Sequence, residues 1–203
     1  MPDDAKIQPV AFYRSMEEGT KEEYERVFEY FKAFERKLGD RILAELATLA
    51  RSYPGELVDR LTHSLQTATR AHRDGRDEEF VVAALLHDIG DMLATVNHSE
   101  YAAAIIKPYV RPNIHWMIRQ HGLFQGYYYF HHFGIDRDGR EKHRGHPAFE
   151  LCIDFCAKYD QAAFDPDYDT MPLEEFAPMV QRIFAREPWG AHAKLDGGYR
   201  DQF

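Results

Sequence analysis

Apolar residues recur along most of this chain at the three-and-four spacing of a helix, and strand-type alternation is weak throughout. Between residues 20 and 50, Val27, Phe28, Phe31, Phe34 and Leu38 fall on one helical face, with Thr20 and Glu23 forming a capping-box pattern ahead of it. Gly39 interrupts that face, which predicts two helices or one kinked helix. Pro54 and Gly55 mark a break. A helix over about 56–72 follows, with Leu57, Leu61, Leu65 and Ala68 as its core stripe. The next, from about residue 77, is apolar nearly all round at Val81, Val82, Ala84, Leu85 and Leu86, so it is predicted to be buried. It closes on His87-Asp88, and Gly90 helps to end it. Asn97 caps a helix over 98–107. Pro112 opens another, which carries His121 and stops at Gly122. An unusually aromatic stretch, 124–133, and a charged loop, 135–146, lead to an amphipathic helix over 147–160 that ends on Asp160. A last helix turns Phe176, Met179, Val180 and Ile183 toward the core. The pattern predicts an all-α fold: an N-terminal arm over 1–18, one helical domain over 19–186 and a tail over 187–203. Neither a repeat nor a linker divides it further.

Composition narrows the class. A chain of 203 residues, 44% hydrophobic and 29% charged, is long enough for one sizeable core. A formal net charge of -9 argues against nucleic acid or an anionic membrane as the main partner. The apolar runs are too short for a membrane span, and the first residues lack the pattern of a signal peptide. The expectation is therefore a cytoplasmic protein. Cys152 and Cys156, one turn apart on one helix, read as core thiols. Oligomeric state is left open.

The chemistry is carried by His63, the adjacent His87-Asp88, His98, His121 and Asp160, each in or at the end of a predicted helix. Neutral imidazole and carboxylate suit iron, manganese or zinc. A charged pair closing a buried helix is costly unless it is paired or binds metal. Neighbouring residues on a helix point about 100° apart, so His87 and Asp88 cannot serve one ion in the same way. They can act together if Asp88 bridges two ions. His63, His87 and Asp160 then complete the first site, and His98 and His121 the second. The other seven of the 11 histidines (His72, His115, His131, His132, His143, His146 and His192) read as ordinary core or surface residues.

On His63, His87-Asp88 and Asp160, with the run LLHDIGD, the chain resembles the HD-domain superfamily of metal-dependent enzymes over about residues 53–160. The extra His98 and His121 resemble its dinuclear branch. That branch holds phosphodiesterases and phosphatases, and also mixed-valent di-iron oxygenases of the myo-inositol oxygenase and organophosphonate-cleaving types. Tyr53-Pro-Gly-Glu56 ahead of a His-Ser-Leu-Gln run is similar to the phosphonate-cleaving oxygenases. There the tyrosine caps the second iron until substrate displaces it, and the glutamate helps to hold substrate. The resemblance thus implies an oxygenase with two iron ions (Mn2+ or another divalent ion as an alternative), a small hydroxylated or amino-substituted substrate, dioxygen as co-substrate, Tyr53 as gate and Glu56 as substrate contact. The runner-up is hydrolysis of a phosphate ester, and a third reading is a metal-stabilised binding protein. The chain departs from the family at Asp91, where histidine is common. It also has Gln125 and Ala157 where basic residues would hold a phosphonate, leaving Lys158 as the nearby cation. The aromatic run Phe124 to Phe133 suits either a pocket for an apolar or cationic group or plain core packing.

Overall fold

Three helices start at a side chain that closes the first turn. In α1 (Lys21–Glu35) the Thr20 hydroxyl accepts from Glu23 N, and the Glu23 carboxylate accepts in return from Thr20 N. Asp59 caps α3 (Arg60–Arg73) by accepting from Thr62 N at 2.8 Å, and Asp77 caps α4 (Glu78–Leu86) by accepting from Phe80 N at 3.1 Å. The structure, a computed structural model, describes residues 8–52 and 55–193, and the chain divides into two compact units, Met1–Leu38 and Gly39–Phe203.

In the first unit α1 follows a short 3-10 turn, Met16–Glu18, and the preceding arm is tied to it through Phe12 N donating to the Glu23 carboxylate at 2.8 Å. Its apolar residues Phe28, Phe31 and Phe34 are all more than half exposed.

The second unit is all helical among the described residues. It comprises most of α2 (Leu38–Thr48), α3, α4, α5 (His98–Ile106), α6 (Pro112–Tyr129), α7 (Phe149–Phe155) and α8 (Leu173–Phe184). The helix break expected near Gly39 falls between α1 and α2. As its composition predicts, α4 is the central rod: Phe80 to Leu86 are buried, and it packs on α3, α6 and α8. Burying its five large side chains contributes about 1.5–3 kcal/mol each. Glu79 is buried beside them. Arg186 donates to it at 2.5 Å, and Arg111 lies 3.0 Å away, which satisfies an otherwise costly charge. Cys152 and Cys156 are buried free thiols, as expected.

Two expectations fail. The stripe Leu57, Leu61, Leu65 and Ala68 is not the buried face of α3. Leu57 precedes the helix and is 79% exposed, whereas His63, Ser64, Gln66, Thr67, Thr69 and Ala71 join Ala68 inside. Most of the polar side chains there have partners that replace water: Thr67 and Thr69 donate to the carbonyls one turn back, and Gln66 donates to Asp165 O, while the Ser64 hydroxyl is buried without a partner. The second failure is at Gly122, which does not stop α6. The helix runs on through 18 residues to Tyr129. Gly122 instead lets α6 approach α5, since a Cβ there would meet the Ser99 hydroxyl at 2.9 Å. Part of the aromatic stretch is therefore the last turns of α6.

The helix that begins as α7 widens into a π turn, Cys156–Asp160, which packs on both α3 and α6. The expected helix over 147–160 thus ends on Asp160 as predicted, with its last turn reshaped.

Candidate metal centre

Five segments meet at one buried point. The first turn of α3 brings His63, the turn after α4 brings His87 and Asp88, the first residue of α5 is His98, α6 brings His121 from its interior, and the π turn ends on Asp160. Gly90 makes the convergence possible, because a Cβ there would lie 2.9 Å from Tyr101 Cβ and 3.0 Å from both Cα and O of His98. The backbone of the turn is pressed against the start of α5.

Each histidine turns the same nitrogen outward. Nδ1 of His63, His87, His98 and His121 lies 3.0, 2.8, 3.2 and 2.7 Å from the carbonyls of Ala163, Ala84, Thr95 and Ile118. That fixes Nδ1 as the donor and aims Nε2 at the centre. Asp88 lies between the two pairs. Its Oδ2 is 3.4 Å from His63 Nε2 and 3.3 Å from His87 Nε2, and its Oδ1 is 3.4 Å from His98 Nε2 and 3.3 Å from His121 Nε2. Asp160 Oδ1 closes the first group at 3.4 Å from His63 and 3.7 Å from His87. The residues thus form groups able to hold metal: His63, His87 and Asp160; His87, Asp88 and His121; and Asp88, Asp91 and His98.

Three observations fit a cation there. The Nε2 atoms of His63 and His87 face each other at 3.1 Å, an approach that needs a positive charge or a proton between two lone pairs. Asp160 Oδ2 is buried with no hydrogen-bond partner. Burial by itself would push His87 down, but Asp88 and then Asp160 hold it up at about 9. Burial likewise works against the charge on Asp88 and Asp160. It is outweighed by His87, His121 and His63 around Asp88, which is held well below the usual carboxylate range, and by His63 and His87 around Asp160. The cluster calls for positive charge, and metal ions supply more of it than one proton does.

The histidines differ in exposure. His63, His87 and His121 are buried, whereas the side chain of His98 is 25% exposed. The cluster opens on a cleft of about 570 Å3 that is lined by His63 and Asp160 as well as by His98 and His121, and whose walls also include Glu56, Arg60, Gln125, Tyr128, Tyr129, Phe133 and Phe164. Part of the aromatic stretch therefore lines the cleft, while Phe124 is core. Glu56 reaches the rim, 3.4 Å from Arg60. Tyr53 lies outside the described residues. Lys158 pairs with Asp154 at 3.0 Å and does not line this cleft.

The model of the HD domain family matches residues 60–157. The chain carries an HD domain. Over 162 residues, 64% of this chain and 82% of the relative, it is 28% identical to [1-hydroxy-2-(trimethylamino)ethyl]phosphonate dioxygenase (glycine-betaine-forming) of Leisingera caerulea. The HD match takes in His63, His87, Asp88, His98 and His121 and ends just before Asp160. The protein is an HD-domain metal-dependent enzyme, and its described residues contain no helix long and apolar enough to cross a membrane.

Two residues at the centre escaped the sequence reading as site residues. Arg60 lies on α3 one turn before His63, on the same face, and it is the lysine or arginine that the described cleft walls contain. Asp91 is buried beside it. The one-turn offset from His63 was the available signal for Arg60. For Asp91 the signal was a second acidic residue so soon after Asp88.

Proposed function

We propose that this protein is a di-iron oxygenase acting on a small substrate that carries a hydroxyl or an amine. The observation that carries the reading is Asp88, whose two carboxylate oxygens each face a separate histidine pair. That geometry suits a bridge between two ions, with His63, His87 and Asp160 completing one site and His98 and His121 the other. Two irons, when bound, supply one-electron chemistry with dioxygen. The similarity to a dioxygenase favours iron and oxygen over hydrolysis.

The chain's own residues account for binding and orientation. The cleft borders both sites, through His63 and Asp160 on one side of Asp88 and His98 and His121 on the other, and His98 is the most exposed of these histidines, so a substrate is assigned to the His98 side. Glu56 at the rim accepts a hydrogen bond from, or pairs with, an amine or ammonium. Tyr128, Tyr129, Phe133 and Phe164 offer aromatic faces to the same cationic group. Tyr53, by its offset from His63, is assigned to cap the second site until substrate arrives. Gln125 donates to Asp160 at 3.1 Å and steadies the carboxylate.

Hydrolysis of a phosphate ester has one observation in its favour, the cation Arg60 in the cleft wall. That guanidinium already faces Glu56, Asp88 and Asp91, so it offers an anion little unneutralised charge.

The test is protein reconstituted with iron without air, partly oxidised and examined by electron paramagnetic resonance, followed by oxygen uptake with a panel of amino alcohols and hydroxyphosphonates. The expected result is a coupled mixed-valent signal and uptake with one substrate class. Brisk hydrolysis of phosphate esters with manganese or magnesium, and no uptake across the panel, would refute it.

A further inference from the structure

Asp91 and Arg60 form a pair outside the six residues assigned as ligands, although Asp91 also stands with Asp88 and His98 in the third group able to hold metal. Asp91 Oδ2 lies 3.0 Å from Arg60 Nε, and Asp91 Oδ1 lies 3.3 Å from His98 Nδ1. His98 thus has a carboxylate behind its outward nitrogen and Asp88 in front of the other. The turn is braced to hold that position: Thr95 Oγ1 donates to Asp91 O at 2.7 Å, and Thr95 O accepts from His98 Nδ1 at 3.2 Å. Arg60 is itself held, with side-chain exposure of 16% and Glu56 and Asp88 within 3.6 Å. The other three histidines of the cluster have only a backbone carbonyl recorded at Nδ1, whereas His98, the most exposed of the four, also has a charged group.

We infer that Asp91, clamped by Arg60, is a positioning residue that orients His98 and strengthens it as the donor of the second metal, the one held by His98 and His121. The inference rests on the dinuclear reading. A carboxylate beside the far nitrogen favours the proton there, where Thr95 O already accepts it, restrains the ring plane and makes Nε2 a stronger donor. Loss of such a partner typically costs about 10–100-fold in metal affinity. Here it replaces the histidine that the family commonly has at this position.

Arg60 separates this role from simple charge. Its guanidinium is a cation near the metal site, so if only through-space charge mattered, Arg60→Gln would tighten metal binding. If Arg60 acts by clamping Asp91, the same change loosens it.

Metal-free full-length protein is titrated with Mn2+, and the free ion is followed by electron paramagnetic resonance, with circular dichroism as the check on folding. Wild type should bind two equivalents, and His98→Ala should identify the weaker one as the second site, that of His98 and His121. Asp91→Asn and Arg60→Gln should each keep the tight equivalent and weaken the other by about tenfold or more. Should Arg60→Gln fail to fold, Arg60→Lys replaces it, since it keeps the charge but not the guanidinium fork; the expected result is again a weakened second equivalent, whereas unchanged binding would overturn the clamp. Arg60→Gln binding Mn2+ as tightly as wild type, or more tightly, would overturn it too. Complete loss of the second equivalent in Asp91→Asn with Arg60→Gln unaltered would make Asp91 a ligand instead. Fewer than two equivalents in wild type would remove the dinuclear reading and this inference together.

Discussion

Replacing Asp88 by asparagine keeps its volume and removes the one charge that both histidine pairs share. The four Nε2 atoms lie 3.3–3.4 Å from its oxygens, so both proposed sites lose an anion in a single change. The donors come from five segments of the second unit, so ions bound there hold α3, the turn after α4, α5, α6 and the π turn together, and the bound state is stabilised by linkage. At free metal about a hundredfold above Kd, each site contributes about 2.7 kcal/mol, or roughly 5 kcal/mol for two. For a domain of this size one kcal/mol moves Tm by about 2–4 °C, so metal should raise the wild-type Tm by roughly 10–20 °C. Asp88→Asn should bind less than one equivalent by elemental analysis and show a shift of only a few degrees. Its metal-free Tm should stay close to that of metal-free wild type, which separates loss of metal from loss of fold. A variant that retains two equivalents and the full thermal shift would show that Asp88 bridges nothing.

Other parts of the molecule give sharper single measurements. Burial, then Lys107 and Arg119, push His115 down to about 4 from 6.5, so it stays neutral in the fold while the unfolded chain protonates. Stability should be complete above pH 6.5 and fall by about 1–2 kcal/mol, after allowance for solvent screening, as pH drops toward 4. His115→Asn should flatten that acid limb in urea titrations, and an unchanged limb would place the proton elsewhere. Gly90→Ala would set a Cβ 3.0 Å from His98 Cα, so α5 must move. A loss of about 1–3 kcal/mol with reduced occupancy of the weaker metal site is expected, and undisturbed binding in a titration would refute the close approach. Oxidised iron-loaded protein should carry a visible tyrosinate band that Tyr53→Phe bleaches with both irons retained. Glu56→Gln should keep the band and raise KM, and an unaltered spectrum in Tyr53→Phe would leave Tyr53 a turn residue.

How much of this was legible in the chain differs from residue to residue. The near-continuous apolar run from Phe80 to Leu86 announced its own burial, because a helix without a polar face has only the interior to occupy. Thr20 with Glu23, and Pro112, fixed where helices begin through local chemistry that needs no tertiary partner, whereas Asn97 stands at the expected start of α5 without a side-chain capping bond. The adjacent His87-Asp88 at the end of that buried run announced a charged centre, since an uncompensated carboxylate there would be too costly. The face of α3 was not legible in the same way. Leu57, Leu61 and Leu65 are apolar, yet the helix is rotated so that His63 meets the other donors, and Thr67, Thr69 and Gln66 can follow it inside only because tertiary partners receive their hydrogen bonds. Gly122 read as a stop, because the sequence cannot show that α5 passes close enough to make a missing side chain an asset within a continuing helix. Arg60 and Asp91 were hidden for the same reason. Their meaning is an ion pair between two segments joined only by the packing of α3 on α4, and neither spacing nor composition carries that. Local propensity and apolar periodicity determined the helices and the identity of the donors. Tertiary packing alone decided which face each helix turns inward, and so which nitrogen and oxygen atoms share one point.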